Sequence, residues 1–434
     1  MNANSDKKAQ REPGADARRI ARNNHLAHGI EGGLFIGAMT FLSAQTVMPV
    51  MIRSLNGPTW LIALMPMMMM LGIAWPSLFT SHLVERLHRV KPLVLITGAF
   101  QRIPFLLAML SLFMFGTSRP LLTLSLVALA PFLSGVTGGI GFSAWQELTA
   151  NVIPKERMAS VWALRSIIGS VVGIVAGMTI KLVLARYPGT TGYGILHAIV
   201  VALMMMSYGI FALIREPPRR EHADTQRRPF LAYMRELPGL IRSEPQVRAF
   251  IGASACSKGI FIMLPFLGIH ALDATGEPEA FLGLLVSSQM TGGLTGNFFA
   301  GWLGNRCGGK ILMAISRTIY IGSCLLAIMT KSNAVFMVLF FLLGLAFELN
   351  LIGDATVRLE ICPPRRRPTY LAIVSAVMLP AMLTAVAASA IVRAYFVSFT
   401  IPALLSAAMM VWSLVLLRGF KEPRNLRPAP QASA

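Results

Sequence analysis

Ser81-His82-Leu83-Val84-Glu85-Arg86-Leu87-His88-Arg89-Val90-Lys91-Pro92-Leu93 and Gly301-Trp302-Leu303-Gly304-Asn305-Arg306-Cys307-Gly308-Gly309-Lys310-Ile311-Leu312 are two versions of one pattern. Each reads small residue, any, Leu, any, acid or amide, Arg, then Lys, and each lies between two long apolar stretches. They are 220 residues apart in a chain of 434, about half its length. Pro49 and Pro265, and the steps Ile153-Pro154 and Cys362-Pro363, repeat at similar offsets. An apolar chain built from two parallel halves implies a membrane transporter with its site between the halves.

The two segments resemble the loop between the second and third helices of the major facilitator superfamily, and its repeat between helices eight and nine. That signature runs Gly-x-Leu-x-Asp-Arg-x-Gly-Arg-Lys. The second copy keeps Gly301, Leu303, Arg306, Gly308 and Lys310, with Asn305 in place of the acid. The first keeps Leu83, Glu85, Arg86, Arg89 and Lys91, with Ser81 and His88 in place of the glycines. The resemblance covers roughly residues 28 to 418. It implies two pseudo-symmetric six-helix halves, all-α, and loops that latch the halves in the outward-open state. By that resemblance Glu85, Arg86, Arg89, Gly301, Asn305, Arg306 and Lys310 are the gating loops. The ordinary alternative is that their cations simply anchor the cytoplasmic headgroup level.

Composition agrees. The chain is 55% apolar and only 13% charged, against about 25% charged for a soluble domain. Twelve apolar stretches reach the roughly 20 residues a membrane helix needs: about 30–53, 59–82, 92–115, 120–146, 160–185, 192–214, 248–271, 280–302, 311–330, 334–356, 369–392 and 400–418. With the N-terminus inside, 30 Lys and Arg fall in inside segments, 5 in outside loops and 4 within spans. That asymmetry predicts both termini cytoplasmic, in an inner (cytoplasmic) membrane. The expected divisions are a cytoplasmic basic tail (1–28), a six-helix half (29–215), a cytoplasmic linker (216–247), a second half (248–418) and a tail (419–434). The first tail is expected to be disordered and held near anionic lipid.

The net charge of +20 does not indicate nucleic-acid binding, because the cations lie in short gaps between apolar spans. No signal peptide is expected from the polar first 28 residues. Four cysteines show no metal spacing, and the methionine runs (Met67–Met70, Met204–Met206) read as packing. No phosphate loop is present. The expectation is a non-enzyme, without cofactor, acting as a monomer on a small solute, with lipid and protons as its other partners. The alternative is a membrane sensor or assembly partner that keeps the same fold without transport, since fold does not fix function.

Charged and polar residues within spans are functional candidates. Lys258 and Glu348 lie at matching depths, roughly 16 and 14 Å from the inner face at about 1.5 Å per residue. In the family, helices one, four, seven and ten line the central cavity, so these two are expected to meet there as a clamp or protonatable pair, or as a static ion pair. An unpaired Lys258 would favour an anionic solute; a free Glu348, a cationic or neutral one. The other candidates on those spans are Gln45, Trp145, Gln146, Glu147, Asn350 and Asp354. Arg102 and Arg317 are read as structural, Arg102 pairing with Glu147 or Glu31, and Glu31 as a cap of span one. His25 and His28 are read as interfacial. Gly169, Gly173 and Gly177 form a small-x-x-x-small ladder expected to pack between the halves.

Overall fold

The computed structural model describes residues 15–84, 87–154, 157–216, 245–361 and 367–422, and the chain is all-helical over them. Twelve helical passes follow one another. Span one is Ala15–Phe41 and Val47–Ser54; span two is Thr59–Leu64, a 3-10 turn at Met65–Met67, and Met68–Val84. Spans three to six are Lys91–Phe115, Pro120–Val152, Met158–Arg186 and Thr190–Ala212. Span seven is Pro245–Ser257, a 3-10 turn at Lys258–Ile262, and Leu264–Thr275. Spans eight to twelve are Phe281–Cys307, Gly309–Met329, Asn333–Ile361, Arg367–Tyr395 and Thr400–Arg418. Ten passes are long and apolar enough to cross a membrane. Spans one and eight fall short because each carries polar residues, such as Ser287, Ser288, Gln289, Thr291 and Asn297 in span eight.

The repeat is visible in the backbone. Spans one and seven both break mid-way, and each resumes with a proline in its first turn, Pro49 and Pro265. Proline has no N–H to give the preceding turn, so the helix ahead of it yields there. Gln45 sits in the first break and Lys258 opens the second. Where span four crosses span two, Gly135 lies against the Met69 carbonyl and Gly72. Where span ten crosses span eight, Gly344 lies against the Gln289 carbonyl and Gly293. A Cβ at either glycine would lie within 2.5 Å of a backbone oxygen, so these crossings require glycine.

The helix of span one starts at Ala15, inside the segment expected to be a disordered tail. The Asn24 side chain fixes this stretch: its Nδ2 donates to the Arg215 carbonyl at 2.8 Å and its Oδ1 accepts from the Arg215 N–H at 2.9 Å. Its amide thus satisfies both backbone groups just beyond span six, which a buried helix end requires. Glu31 therefore lies inside a helix and does not cap it.

Core packing differs at the two ends of the bundle. At the end far from the chain termini, one apolar core joins both halves, with Met48, Ile52, Met65 and Phe105 continuous with Phe266, Leu285, Phe336 and Met410. Among the described residues, the cores at the terminal end stay within one half each: Val94, Leu148, Val161 and Phe211 in the first, and Phe250, Met313, Val357 and Phe420, with a smaller group at Ala300, Leu312 and Leu349, in the second.

Candidate functional site

In the first half, a buried network joins spans one, four and five. Arg165 Nη1 donates to Glu31 Oε2 at 3.0 Å and to His28 Nδ1 at 2.8 Å. A guanidinium can only donate, so His28 Nδ1 carries no proton and the ring is neutral. Its Nε2–H then donates to Thr149 Oγ1 at 2.8 Å, and Thr149 donates to the Trp145 carbonyl at 2.8 Å. The Arg165 guanidinium lies 5.4 Å from the Trp145 ring and 5.3 Å from the Trp162 ring, within cation–π range. It rests on the bare backbone of Gly32, where a Cβ would come within 1.8 Å of Cζ. His28 thus belongs to the buried network and not to the interface. Trp145 is half-buried within it, Gln146 is exposed, and Glu147 has interactions of its own.

Arg102 sits deeper. Its Nε donates to the Met204 carbonyl at 2.8 Å, its Nη1 to the Gly98 carbonyl, and its guanidinium lies 4.7 Å from the Tyr208 ring. Its direct partners are on spans three and six; Glu31 is within electrostatic reach but is bonded to Arg165. A cavity of about 210 Å3 opens here, lined by Glu31, Gln101, Arg102, Trp145, Arg165 and Tyr208 among others.

In the second half, Asp354 Oδ1 accepts from Ser254 Oγ at 3.0 Å and Oδ2 from Arg358 Nη2 at 2.6 Å. Asp354 is also the acid whose charge acts on Lys258 and Arg317. Arg317 donates to Asn350 Oδ1 at 2.6 Å, to Ser413 Oγ at 3.2 Å and to the Met313 carbonyl at 3.0 Å. Glu348 instead faces Asn297, Gly293 and Gly296 of span eight. Lys258 and Glu348 form no ion pair among the described residues; the acid whose charge reaches Lys258 is Asp354, itself bonded to Ser254 and Arg358. Six residues apart on one helix, the two acids point about 120° apart at roughly 100° per residue. Depth matched Lys258 to Glu348, but direction around the helix matches it to Asp354.

Polar contacts between the halves gather at the far end. Arg53 Nη1 meets Asp273 Oδ1 at 2.7 Å, and the Tyr193 hydroxyl donates to Glu279 Oε2 at 2.7 Å. Ser287 Oγ donates to the Ile174 carbonyl at 2.9 Å. The span-five glycines divide. A Cβ at Gly177 would fall 2.5 Å from the Gly283 carbonyl, and one at Gly173 2.8 Å from Met290, both on span eight. Gly169, nearer the terminal end, packs on Ile36 of its own half.

The sequence profile described as Major Facilitator Superfamily matches residues 33–278 and 250–434. The chain belongs to the Major Facilitator Superfamily. Solved structures with this fold include a point mutant of the nucleoside transporter NupG (TM-score 0.67, 14% identity, 93% of this chain and 100% of that one). A D-xylose-proton symporter aligns at TM-score 0.65 and 13% identity over 94% and 98% of the two chains. A bacterial homologue of the iron transporter ferroportin, inward-facing, aligns at TM-score 0.61 and 14% identity over 92% and 98%. No curated protein sequence matches the chain.

The two signature loops make contacts within their own halves. Glu85 and Arg86 lie outside the described residues; Arg89 is exposed. Lys91 Nζ donates to the Ala212 carbonyl at 2.8 Å, while the Val90 and Lys91 N–H groups donate to Glu216 at 2.9 and 3.1 Å. Lys310 repeats this: its Nζ donates to the Phe420 carbonyl and its N–H to Glu422 at 3.1 Å. Both signature lysines thus tie the start of an outer span to the end of the last span in the same half. An acid at each helix N-terminus satisfies otherwise unpaired N–H groups. Gly308 adopts φ 83° here, with the Glu422 carboxylate against it, a backbone that favours glycine. Arg306 stacks 4.6 Å from Trp302, Asn305 is engaged, and Gly301 borders open space.

Sequence reading missed His28 and Arg165 as site residues because neither has a spacing signal. It also missed Glu216 and Glu422, although Glu216-Pro217 and Glu422-Pro423 repeat at an offset of 206 residues.

Proposed function

We propose that the protein is a secondary transporter that moves a small solute across the cytoplasmic membrane by alternating access, driven by the proton gradient, and that this structure is its inward-facing state. The supporting observation is the division of the core among the described residues: one continuous apolar seal at the far end and separate cores at the terminal end. The excess of Lys and Arg near the terminal end makes that end cytoplasmic, so the seal lies outside and the opening inside. The cytoplasmic linker of 216–247 then joins two halves that rock about a site near the mid-plane.

The breaks in spans one and seven support a solute site at their level, since discontinuous helices turn polar backbone toward such sites. Gln45 and Lys258 are at those breaks. Glu348 pairs with no cation among the described residues, so a proton can discharge it without leaving a cation unmatched. That assigns Glu348 to the coupling ion and leaves the solute to other groups. The test is reconstitution in liposomes with a pH-sensitive dye trapped inside, challenged with nucleosides, sugars, amino acids and carboxylates under an imposed gradient. Solute-dependent proton entry is the expected result. Solute exchange without proton movement would remove the coupling, and no movement of any solute would remove the transport reading.

A further inference from the structure

The two halves are not equivalent at one place. The matched crossings at Gly135 and Gly344 set a register in which Gly141 is the counterpart of Asn350. The matched lysines Lys91 and Lys310, with their equivalent tethers, make Gly98 the counterpart of Arg317. In the second half, Arg317 and its acceptor Asn350 occupy this volume, 2.6 Å apart. In the first half, Gly98 leaves its share of this volume open, Thr97 Oγ1 fills the place of a Cβ at Gly141, and both glycines line the 210 Å3 cavity.

Around that opening, charge is unbalanced. Arg102 and Arg165 line the cavity and are each only 7% exposed, against the single acid Glu31. Arg165 Nε is buried without a partner, and Arg102 Nη2 makes no protein hydrogen bond among the described residues. The remaining walls include Phe35, Phe142, Trp145 and Tyr208. Glu348 faces span eight of the other half and does not line this cavity.

We infer that this cavity binds a small organic anion, its carboxylate replacing the acceptor that Asn350 supplies in the other half and its apolar body lying against the aromatic walls. A planar guanidinium suits a carboxylate because its N–H groups form a matching fork. As a statement about the transported solute, this rests on the transport reading; as a statement about binding, it does not. The anionic group can come from a free carboxylate or from a lipid headgroup, and the test separates them.

The probes are benzoate and 2-naphthoate, with benzamide as the uncharged control, titrated calorimetrically into the full chain in lipid-free dodecyl maltoside. Gly98→Leu fills the cavity. A Cβ there meets nothing closer than Arg102 Nη1 at 3.4 Å and Tyr208 at 3.5 Å, so the side chain starts without a backbone clash and extends into the cavity. Arg102→Gln removes the fork; should it fail to fold, Gly98→Leu carries the test alone. The expected result is carboxylate binding to wild type, at least tenfold weaker binding of benzamide, and at least a tenfold loss in each folded variant. Equal affinity in Gly98→Leu, or no carboxylate binding to wild type, overturns the inference. Competitive displacement of naphthoate by phosphatidylglycerol keeps the anion site and makes the headgroup its occupant. Counterflow in liposomes separates the two readings. Naphthoate bound but never moved keeps the site and counts against transport, whereas transport of another solute without carboxylate binding does the reverse.

Discussion

Gly283→Ala adds one methyl group at the seal between the halves. Its Cβ would lie 2.3 Å from the Gly177 carbonyl oxygen, 2.4 Å from the Lys181 N and 2.7 Å from the Lys181 Cβ. All three obstacles are backbone or Cβ atoms, so no rotamer change relieves them. Ordinary contact between carbon atoms is about 3.5–4.0 Å, so spans five and eight must part by about 1 Å or more. Overpacking of this kind costs about 1–3 kcal/mol. Under the proposed alternating access the cost falls on the sealed state alone, because that mechanism separates these surfaces in the other state. A difference of that size shifts a two-state equilibrium by about 5- to 150-fold. Spin labels at the exposed positions Ser118 and Ser332, on a background with the four native cysteines replaced, report the far-end distance by double electron–electron resonance. The expected outcome is growth of a longer-distance population in Gly283→Ala. A normal yield of folded protein with an unchanged distance distribution would refute the reasoning.

Four further outcomes follow from the same geometry. Gly32→Ala should displace the Arg165 guanidinium, which its Cβ would approach to 1.8 Å, and leave Glu31 unpaired; the loss is about 3–5 kcal/mol, and an unchanged unfolding midpoint in detergent would contradict it. Glu422→Gln should loosen the start of span nine by about 1 kcal/mol through loss of the charged cap, seen as faster amide exchange at residues 309–312 and nowhere on span three. Glu348→Gln should flatten the pH dependence of transport while leaving the protein folded, since the amide has nearly the shape of the acid it replaces; an unaltered pH profile would free Glu348 from the coupling role. Asp273→Asn should change the far-end distance distribution little, because its ion pair with Arg53 is exposed, 60% and 37% respectively, and such pairs contribute about 0–1 kcal/mol; an effect as large as that of Gly283→Ala would mean the seal is electrostatic.

The twelve passes and the two-fold repeat were legible in the sequence because lipid imposes a strong constraint, long apolar runs that satisfy their own backbone. Residues 15–28 escaped it: they are polar and basic, and their helix is held by Asn24 against Arg215, a contact no local pattern announces. The charge constellation was legible by depth and illegible by direction. Depth comes from counting steps of about 1.5 Å, whereas the side a residue faces depends on which neighbour the helix packs against. For that reason depth alone sets Lys258 opposite Glu348, whereas the acid charge that reaches it is that of Asp354. His28 and Arg165 carried no signal, since a neutral histidine and one arginine near a span end are indistinguishable from ordinary headgroup anchors until the fold joins them.

The lysine tethers at Glu216 and Glu422 bear on how the chain is made. Each ties the start of an outer span to the last residues of its own half, so the first half can lock once residue 216 has left the ribosome, before any of the second half exists. Neither lock draws on a residue from the other half. A gene split within the codons for 217–244 should therefore yield two polypeptides that each carry a complete fastening, and that assemble when expressed together.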